Sequence, residues 1–321
     1  MLIGRPTSVK NPALQHGASS KEKAFLAIHP HSSERGILVS SRETYKKETL
    51  LSMKGTYTSE ILDKIYVNIP FSMLSQSYLP RFIEMRMNPE IGMDATALDQ
   101  YPLAEYHRVA GELLGEGLKV NLHAPFMDLS PGSPDRSILA LTRERFQRIG
   151  ELASTFEAKG VVFHAGYDRR RYGFMKDGWV ERSVETWSTL ARGFRKTGTI
   201  LFLENVYEHS PDDLLDLFKA LRQEEVGFCL DTGHQAAFSA APLDRWVHVL
   251  GPYLRQLHLH DNRGEEDEHL ALGQGGIDFK SLFGILKATI RIPPVLTLEP
   301  HKENDLWPSI EYLERNWPWA S

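Results

Sequence analysis

The sequence predicts an α/β protein whose strands form a closed, parallel (β/α)8 barrel with an N-terminal extension. Short apolar runs recur along most of the 321 residues, and six of them end in His, Asp or Glu. The intervals between these end residues are 41, 40, 27, 27 and 41 residues, which leaves room for a crossover helix each time. An open, doubly wound sheet is the alternative, but it does not bring six strand ends to one point.

The predicted strands begin at residue 65. Residues 65–69 form the first strand, which Pro70 closes, and residues 81–86 form a weaker second strand. The six runs that end in a polar residue are 118–123, 161–164, 200–204, 226–231, 254–258 and 295–299. Eight strands within about 255 residues match the typical size of one such barrel.

The segments between the strands carry helix signals. Ser133 and Pro134 supply a cap and a first turn, and apolar residues then follow at helical spacing until Gly160. Ser210 begins a second N-terminal signature, and residues 308–317 are the predicted closing helix. Helices that alternate with strands in this way are typical of a parallel sheet.

Composition limits the class of protein. The formal charge of −5 and the pI near 6.2 give no general reason to expect a nucleic-acid partner. No apolar run reaches membrane-spanning length, and the N-terminus lacks the apolar core of a secretory signal. The single cysteine, Cys229, lies in an apolar run and cannot form an internal disulfide. We therefore expect a cytoplasmic protein with a buried, reduced thiol and no membrane partner.

Residues 1–52 differ from the remainder of the chain. They contain eight Lys/Arg and four Glu, a net charge of +4, which leaves −9 for the remaining residues. They are also rich in Ser and Lys, and their apolar patches are short. We expect a weakly structured extension over residues 1–52 and a barrel domain over residues 53–321.

The strand ends predict a metal site. In a parallel barrel the C-terminal strand ends surround one mouth, where active sites lie. Carboxylates crowded there repel one another, and divalent cations remove that repulsion. Imidazole and carboxylate are the usual non-sulfur ligands of zinc and manganese. The alternative is that the six polar residues are unrelated and that each merely caps its own strand, but six such residues rarely occupy the same position at the ends of their strands. The six end residues are His123, His164, Glu204, Asp231, His258 and Glu299.

The stretch 257–279 adds candidates to this site. His258 and His260 share one face of a strand, and Asp267 and His269 follow in a charged loop before a Gly-rich segment. Two such groups of histidine and carboxylate, about ten residues apart, suit a divalent metal. A solvated acidic loop beside a core histidine is the alternative for this stretch taken alone.

Several short motifs follow one another along the chain. They are His123-Ala124-Pro125-Phe126, Leu203-Glu204-Asn205, Leu230-Asp231-Thr232-Gly233-His234, His258-Leu259-His260-Asp261, Asp267-Glu268-His269 and Leu272-Gly273-Gln274-Gly275. In this order and spacing they resemble the xylose-isomerase-like TIM-barrel superfamily, and the resemblance extends from about residue 65 to the C-terminus. That superfamily holds sugar (phosphate) isomerases and epimerases and the endonuclease IV enzymes, which act at abasic sites in DNA.

The two branches of the superfamily imply different chemistry. The isomerase branch implies one metal held by Glu204, Asp231, His258 and Glu299, with Glu204 and Glu299 shuttling a proton. The endonuclease branch implies three zinc ions with nine ligands, and each of the nine positions carries a matching residue type here. The first ion would take His123, His164 and Glu204; the second would share Glu204 with Asp231, His258 and Glu299; the third would take His234, Asp267 and His269.

A second group of residues is predicted to contact the substrate. Arg169, Arg170 and Arg171 follow His164 and suit a phosphate, although a solvated charged loop is an equal alternative. Phe126 occupies the position of an aromatic that probes DNA in the endonuclease branch, and we expect it to line a sugar pocket. His260 and Arg263, just beyond His258, complete the predicted group.

The sequence favours an isomerase or epimerase of a small sugar or sugar phosphate that needs one to three zinc or manganese ions. DNA binding requires cationic surface, whereas the barrel portion carries −9, so a nucleic-acid partner is possible but not favoured. An endonuclease IV-like phosphodiesterase is the alternative, and a metal-binding barrel without catalysis is a third possibility. The oligomeric state is left open.

The extension yields a test of the domain boundary. Because residues 1–52 contribute no predicted strand, their deletion should change the melting temperature of the protein by only a few degrees, measured by circular dichroism. A much larger decrease, or a loss of bound metal, would place the extension within the fold.

Overall fold

The computed structural model describes residues 59–319, which form a closed barrel of eight parallel strands. Each strand pairs with the next, and β8 pairs with β1. The predicted extension and the boundary at residue 53 lie outside the described residues. The strands are β1 Ile65–Pro70, β2 Asn88–Gly92, β3 Asn121–His123, β4 Gly160–His164, β5 Ile200–Glu204, β6 Gly227–Asp231, β7 Leu254–Leu259 and β8 Val295–Leu298. The predicted fold class is confirmed.

Helices cover the outside of the barrel. None of those within residues 59–319 is both long and apolar enough to span a membrane. A π-helical turn, Leu74–Tyr78, joins the second helix to the third. The helices are α1 Ser59–Leu62, α2 Phe71–Met73, α3 Leu79–Met85, α4 Ala95–Gln100, α5 Leu103–Gly115, α6 Arg136–Thr155, α7 Arg169–Tyr172, α8 Lys176–Arg195, α9 Asp212–Ala220, α10 Thr232–Phe238, α11 Leu243–Leu250, α12 Phe279–Thr289 and α13 Glu303–Asn316.

Apolar residues at helical spacing hold this outer layer against the strands. Helix α6 buries Phe146, Ile149 and Leu152, which recur every three residues along one face. The ring of Phe146 stacks on Trp187 of α8, with centroids 5.2 Å apart. It also meets the edge of Phe163 on β4 at 4.8 Å. Aromatic contacts therefore join two neighbouring helices to the strand beneath them.

The interior of the barrel changes from apolar to polar towards its mouth. Val162, Phe202 and Cys229 form a separate buried cluster on three adjacent strands. Because side chains alternate along a strand, the residues two positions further on face the same interior. Those residues are His164, Glu204 and Asp231. The strand period thus places three candidate ligands directly above an apolar floor, and Cys229 is buried as predicted.

The predicted second strand was wrong. Residues 81–85 belong to helix α3, and β2 follows at Asn88–Gly92. The apolar residues of the earlier run lie on the buried face of the helix, with Phe82 only 3% exposed. Pro89 made the true strand look unfavourable because proline lacks a backbone donor. It lies one residue before Glu90, where the pairing with β3 begins.

Helix boundaries also differ from the predictions. The long helix α6 begins after Asp135, whose carboxylate accepts hydrogen bonds from the N–H groups of Ser137 and Ile138. It ends at Thr155, and Glu157 then adopts a left-handed conformation (φ 45°), so the chain turns before Gly160. The closing helix α13 contains Pro308 instead of starting there. The charged residues ahead of Pro308 hid this start, because only the later apolar residues show helical spacing.

Two glycines test how tightly the barrel is packed. A Cβ atom at Gly160 would overlap the buried Phe202 ring, whereas one at Gly111, exposed within α5, would meet nothing within 4 Å. We expect Gly160→Ala to lower the free energy of unfolding by about 1–3 kcal/mol through overpacking. Gly111→Ala, the matched control, should raise it by about 0.5–1 kcal/mol. Urea denaturation measures both, and equal effects would contradict the described interior.

Candidate metal centre

The C-terminal strand ends bring the nine predicted metal ligands to one mouth. Five of them end or nearly end strands β3 to β7, and Glu299 follows β8 directly. His234 lies in the first turn of α10, where its backbone N–H donates to Asp231 at 2.6 Å. Asp267 and His269 come from the loop after β7. The side chains form three sets: a first set (His123, His164, Glu204), a central set (Glu204, Asp231, His258, Glu299) and a third set (His234, Asp267, His269).

Glu204 joins the first set to the central set. Its Oε2 lies 3.1 Å from Nε2 of His123 and 3.4 Å from Nε2 of His164. Its Oε1 lies 3.1 Å from Nδ1 of His234 and 3.3 Å from Nδ1 of His258. The side chain is 1% exposed. Each carboxylate oxygen therefore faces a different group of imidazole nitrogens, which is the arrangement of a bridging ligand.

The central set surrounds one nitrogen of His258. Nδ1 lies 3.1 Å from Oε1 of Glu299 and 3.8 Å from Oδ2 of Asp231, in addition to its approach to Glu204. This buried nitrogen has no hydrogen-bond partner among the described residues. A buried polar atom without a partner is costly. Three carboxylates and one imidazole nitrogen aimed at one point match the ligand preference of zinc or manganese.

The third set converges on one carboxylate oxygen. Oδ2 of Asp267 lies 3.3 Å from Nε2 of His234 and 3.1 Å from Nε2 of His269. His269 has a left-handed backbone (φ 51°), which is uncommon for a residue other than glycine. Its Nδ1 donates to the backbone oxygen of Glu299 at 2.9 Å, which leaves Nε2 directed at Asp267. This hydrogen bond thus holds the uncommon backbone conformation of His269 in a position that directs its imidazole at the third set.

Burial and mutual charge shift the pKa values in this cluster in opposite directions. Burial raises the pKa of Glu204, but His258 and His164 outweigh it and bring that pKa well below its ordinary value. Burial raises the pKa of Glu299, and Asp231 and Glu204 raise it further. Burial lowers the pKa of His164 to about 3. Burial also lowers that of His258, but the neighbouring carboxylates bring it well above its usual range. A proton on His258, but not one on His164, therefore balances the carboxylates where cations would otherwise do so.

The described residues fit divalent ions. Four groups of three side chains hold potential ligand atoms within 4.8 Å of one another; they contain seven of the nine ligands, without His164 and Asp267, and they add Glu90 and His260. Besides Nδ1 of His258, the buried atoms Nδ1 of His260 and Oδ1 of Asp267 lack hydrogen-bond partners. Because proteins rarely leave buried polar atoms unpaired, these orphaned atoms support a centre built for cations.

Residues behind the ligands hold them in place. The Asn205 side chain donates to the backbone oxygen of Asp231 at 3.1 Å and accepts from its N–H at 2.9 Å. The carboxylate of Asp261 accepts three backbone N–H groups from the Gly-rich loop, at 2.9 to 3.1 Å. A Cβ on Gly275 would overlap Asp261. Asn205 and Asp261 belong to the quoted motifs, but the sequence alone did not reveal these roles.

Among the predicted substrate contacts, Phe126 lies beside the ligands. Its ring stacks on His164, with centroids 4.2 Å apart and planes at 16°, and the residue is 43% exposed. The arginines lie on α7, where Arg170 and Arg171 pair with Asp168 and their side chains are 65% and 71% exposed. Arg169 opens the same helix. Contact of any of these residues with a substrate stays a prediction.

The other two predicted contacts differ in burial. His260 is 1% exposed; its Nε2 lies 3.1 Å from Asp231, and its ring stacks on His269 at 3.7 Å. Arg263 is exposed and pairs with Glu268. It lines a cavity of about 520 Å³ between the loop after β7 and helices α11 and α12, outside the nine ligands. His260 therefore supports the ligands, and its role towards a substrate also stays a prediction.

Two residues at the centre were missed. Glu90 on β2 is fully buried, and its Oε1 lies 2.9 Å from Nε2 of His258. His301 stacks on His269, with centroids 3.5 Å apart. Glu90 was hidden by the misplaced second strand. For His301, the one signal in the sequence was its position two residues after Glu299, and the prediction did not include it.

Replacing Glu204 by Gln should remove metal from two sets together, because one carboxylate serves both. We expect Glu204→Gln to lower the metal content measured by elemental analysis and to abolish the rise in melting temperature on adding zinc. Glu208→Gln is the matched control. Glu208 is also buried after β5, but burial raises the pKa of its carboxyl to about 8, so an amide preserves its neutral form. An unchanged metal content in Glu204→Gln would contradict the bridge.

Comparison with known proteins places this architecture in a family. The family model described as a xylose isomerase-like TIM barrel matches residues 81–316. A probable endonuclease 4 of Mycobacterium leprae is 26% identical over 212 residues, which is 61% of this chain and 80% of that protein. The TTHB071 protein from Thermus thermophilus, soaked with ZnCl2, has a TM-score of 0.65 at 26% identity, covering 78% of this chain and 97% of that one.

A D-tagatose 3-epimerase-like protein shares the fold, with a TM-score of 0.67 at 23% identity, and the match covers 79% of this chain and 97% of that chain. At that identity the likeness concerns the fold alone. The family model spans most of the barrel, including all nine ligand positions. The chain belongs to the xylose isomerase-like TIM-barrel family.

Proposed function

We propose that this protein is a metal-dependent phosphodiesterase whose centre holds three divalent cations. One observation carries the proposal: nine side chains form three convergent sets, and Glu204 belongs to two of them. An isomerase with one metal needs only the central set. Adjacent cations suit the hydrolysis of a phosphodiester, because they stabilise the charge that develops on both the attacking and the leaving oxygen.

This proposal reverses the preference that the sequence alone favoured. In the sequence alone, the acidic charge of the barrel portion favoured a sugar substrate over a phosphodiester in spite of the nine matching ligand positions. Two observations support the change. The third set is directed inward by hydrogen bonds and by the left-handed backbone of His269, and a relative at 26% identity is called a probable endonuclease 4. We propose zinc as the metal, because all three sets consist of imidazole nitrogens and carboxylate oxygens.

The chain's own residues would do most of the positioning. Bound cations would neutralise the phosphate and lower the pKa of water at the mouth. Glu204 and Glu299 hold the central set together around His258. Phe126, stacked on His164, shields the first set from bulk water on one side. A partly dry, preorganised site strengthens each electrostatic contact with the developing charge.

The charge of the protein favours a small phosphodiester over duplex DNA. The chain outside residues 1–52 carries −9, which disfavours the broad counterion release that DNA binding needs. Arg170 and Arg171 are exposed near the mouth but pair with Asp168, so they offer a local contact for one anionic group. We therefore propose a compact substrate that presents a single phosphodiester.

A sugar isomerase or epimerase is the second candidate. Glu204 and Glu299 approach His258 Nδ1 at 3.3 and 3.1 Å, so two carboxylates stand close enough to serve the same substrate carbon. Proton transfer between two such groups is the chemistry of that branch. The fold shared with a D-tagatose 3-epimerase-like protein is consistent with it.

Asp267→Ala separates the two candidates. If three cations cleave a phosphodiester, removing the third set should slow hydrolysis of bis(p-nitrophenyl) phosphate by about a thousandfold. Proton exchange into ketoses needs only the central set and should survive. Glu268→Ala is the matched control, since Glu268 lies in the same loop and pairs with Arg263 instead of the ligands.

Parallel assays complete the test. Nicking of an abasic duplex should be weak and should fall steeply with salt, while cleavage of the small ester should change little. Deuterium exchange into a panel of ketoses, with no ester cleavage and no effect of Asp267→Ala, would replace this proposal with the second candidate. Metal binding without any turnover would leave a non-catalytic barrel.

A further inference from the structure

A buried carboxylate lies beneath the central set and takes no part in the proposed chemistry. Glu90 lies in the middle of β2 and has no exposed surface. An ionised side chain in such a place is costly unless donors surround it.

Four side chains from three other strands donate to this carboxylate. Oε1 accepts from Nε2 of His258 at 2.9 Å and from Asn68 at 3.4 Å. Oε2 accepts from Gln256 at 2.5 Å and from Thr297 at 3.0 Å. Both oxygens of Glu90 are thus occupied by donors. Glu90 is therefore satisfied without a cation, unlike the ligands above it.

The hydrogen bonds around Glu90 also determine which ring nitrogen of His258 carries a hydrogen. The Gln256 amide donates its two hydrogens to Glu90 and to Thr297, the latter at 3.1 Å, while its oxygen accepts from Asn121 at 3.5 Å. Nε2 of Gln256 also lies 3.1 Å from Nε2 of His258, but its two hydrogens are taken by the carboxylate of Glu90 and the hydroxyl of Thr297. Nε2 of His258 therefore donates to Glu90, and Nδ1 is the ring nitrogen that faces the three carboxylates of the central set, where it would ligate a cation.

We propose that Glu90 is a positioning residue that selects the tautomer and ring orientation of His258 and thereby sets the metal affinity of the central set. A histidine ligand commonly donates its second ring nitrogen to a carboxylate, which orients the ring and makes it more basic. Here that partner comes from the neighbouring half of the barrel, so the affinity depends on the register of β1, β2, β7 and β8. The inference rests on the proposed metal centre.

Glu90→Gln tests this role with little change in size. An amide accepts more weakly from His258, and its NH2 group faces the donors of Gln256 and Thr297. We expect the dissociation constant of the central set to rise by about 10- to 100-fold, measured by competition of Zn²⁺ with a chromophoric chelator. The visible absorption of the Co²⁺-loaded protein should also change, because the orientation of His258 is relaxed. The third set should keep its affinity.

Asn88→Ala is the matched control. Asn88 lies two residues earlier on β2 and is 3% exposed; its side chain binds the backbone of Leu62, Ile65 and Lys119 but no ligand. The Asn88→Ala variant should lower the melting temperature of the metal-free protein and leave the metal affinity and the Co²⁺ spectrum unchanged. Thr297→Val removes one donor from Glu90 and should weaken binding by a smaller factor than Glu90→Gln, which keeps the test open if the latter folds poorly.

The outcomes distinguish this inference from the proposed function. Wild-type affinity and spectrum in both Glu90→Gln and Thr297→Val would overturn it, as would an equal loss of affinity in Asn88→Ala. A wild-type protein that binds metal but cleaves no phosphodiester would refute the proposed function alone. A wild-type protein that binds no divalent metal would refute both.

Discussion

The central constraint in this molecule is the burial of several carboxylates at one end of the barrel. Glu204, Asp231 and Glu299 surround one nitrogen of His258 in a region closed to solvent, with exposures of 10% or less. Such a cluster destabilises the fold unless positive charge is supplied. The adjacent imidazoles supply part of it, and divalent cations would supply the rest. The fold, the loops and the inner hydrogen bonds all serve to keep these groups together.

The barrel achieves this with the strand period of two. The apolar residues Val162, Phe202 and Cys229 form the floor, and the next inward-facing residues on the same strands are ligands. On the other side of the barrel, the Glu90 network occupies the level beneath His258. A rigid arrangement below the mouth means that the ligands need not reorganise when cations bind, which favours tight binding and fast chemistry.

Much of the fold could be predicted because the strand ends repeat a simple pattern. Six apolar runs that end in His, Asp or Glu are visible in the sequence, and the closed barrel follows from their spacing. The second strand could not be found because Pro89 interrupts its pattern and the buried face of α3 imitates a strand. Glu90 was missed for the same reason. A local pattern does not reveal which distant residues share the interior.

The candidate site was predictable to a different extent. The ligands at strand ends follow from topology, whereas Asp267 and His269 depended on a charged loop whose path no periodicity determines. That path depends on the contacts of Asp261 with the Gly-rich loop and on the left-handed backbone of His269. The stacking of His301 on His269 likewise arises from the turn after β8, which the sequence does not specify.

Anomalous diffraction at the zinc edge, from crystals of the zinc-loaded protein, tests the central claim most directly. We expect three peaks at the mouth: one at His123 and His164, one at His258 and Glu299, and one at His234, Asp267 and His269. Glu204 should lie between the first two. A single peak confined to the central set, with the remaining imidazoles unliganded, would contradict the trinuclear centre.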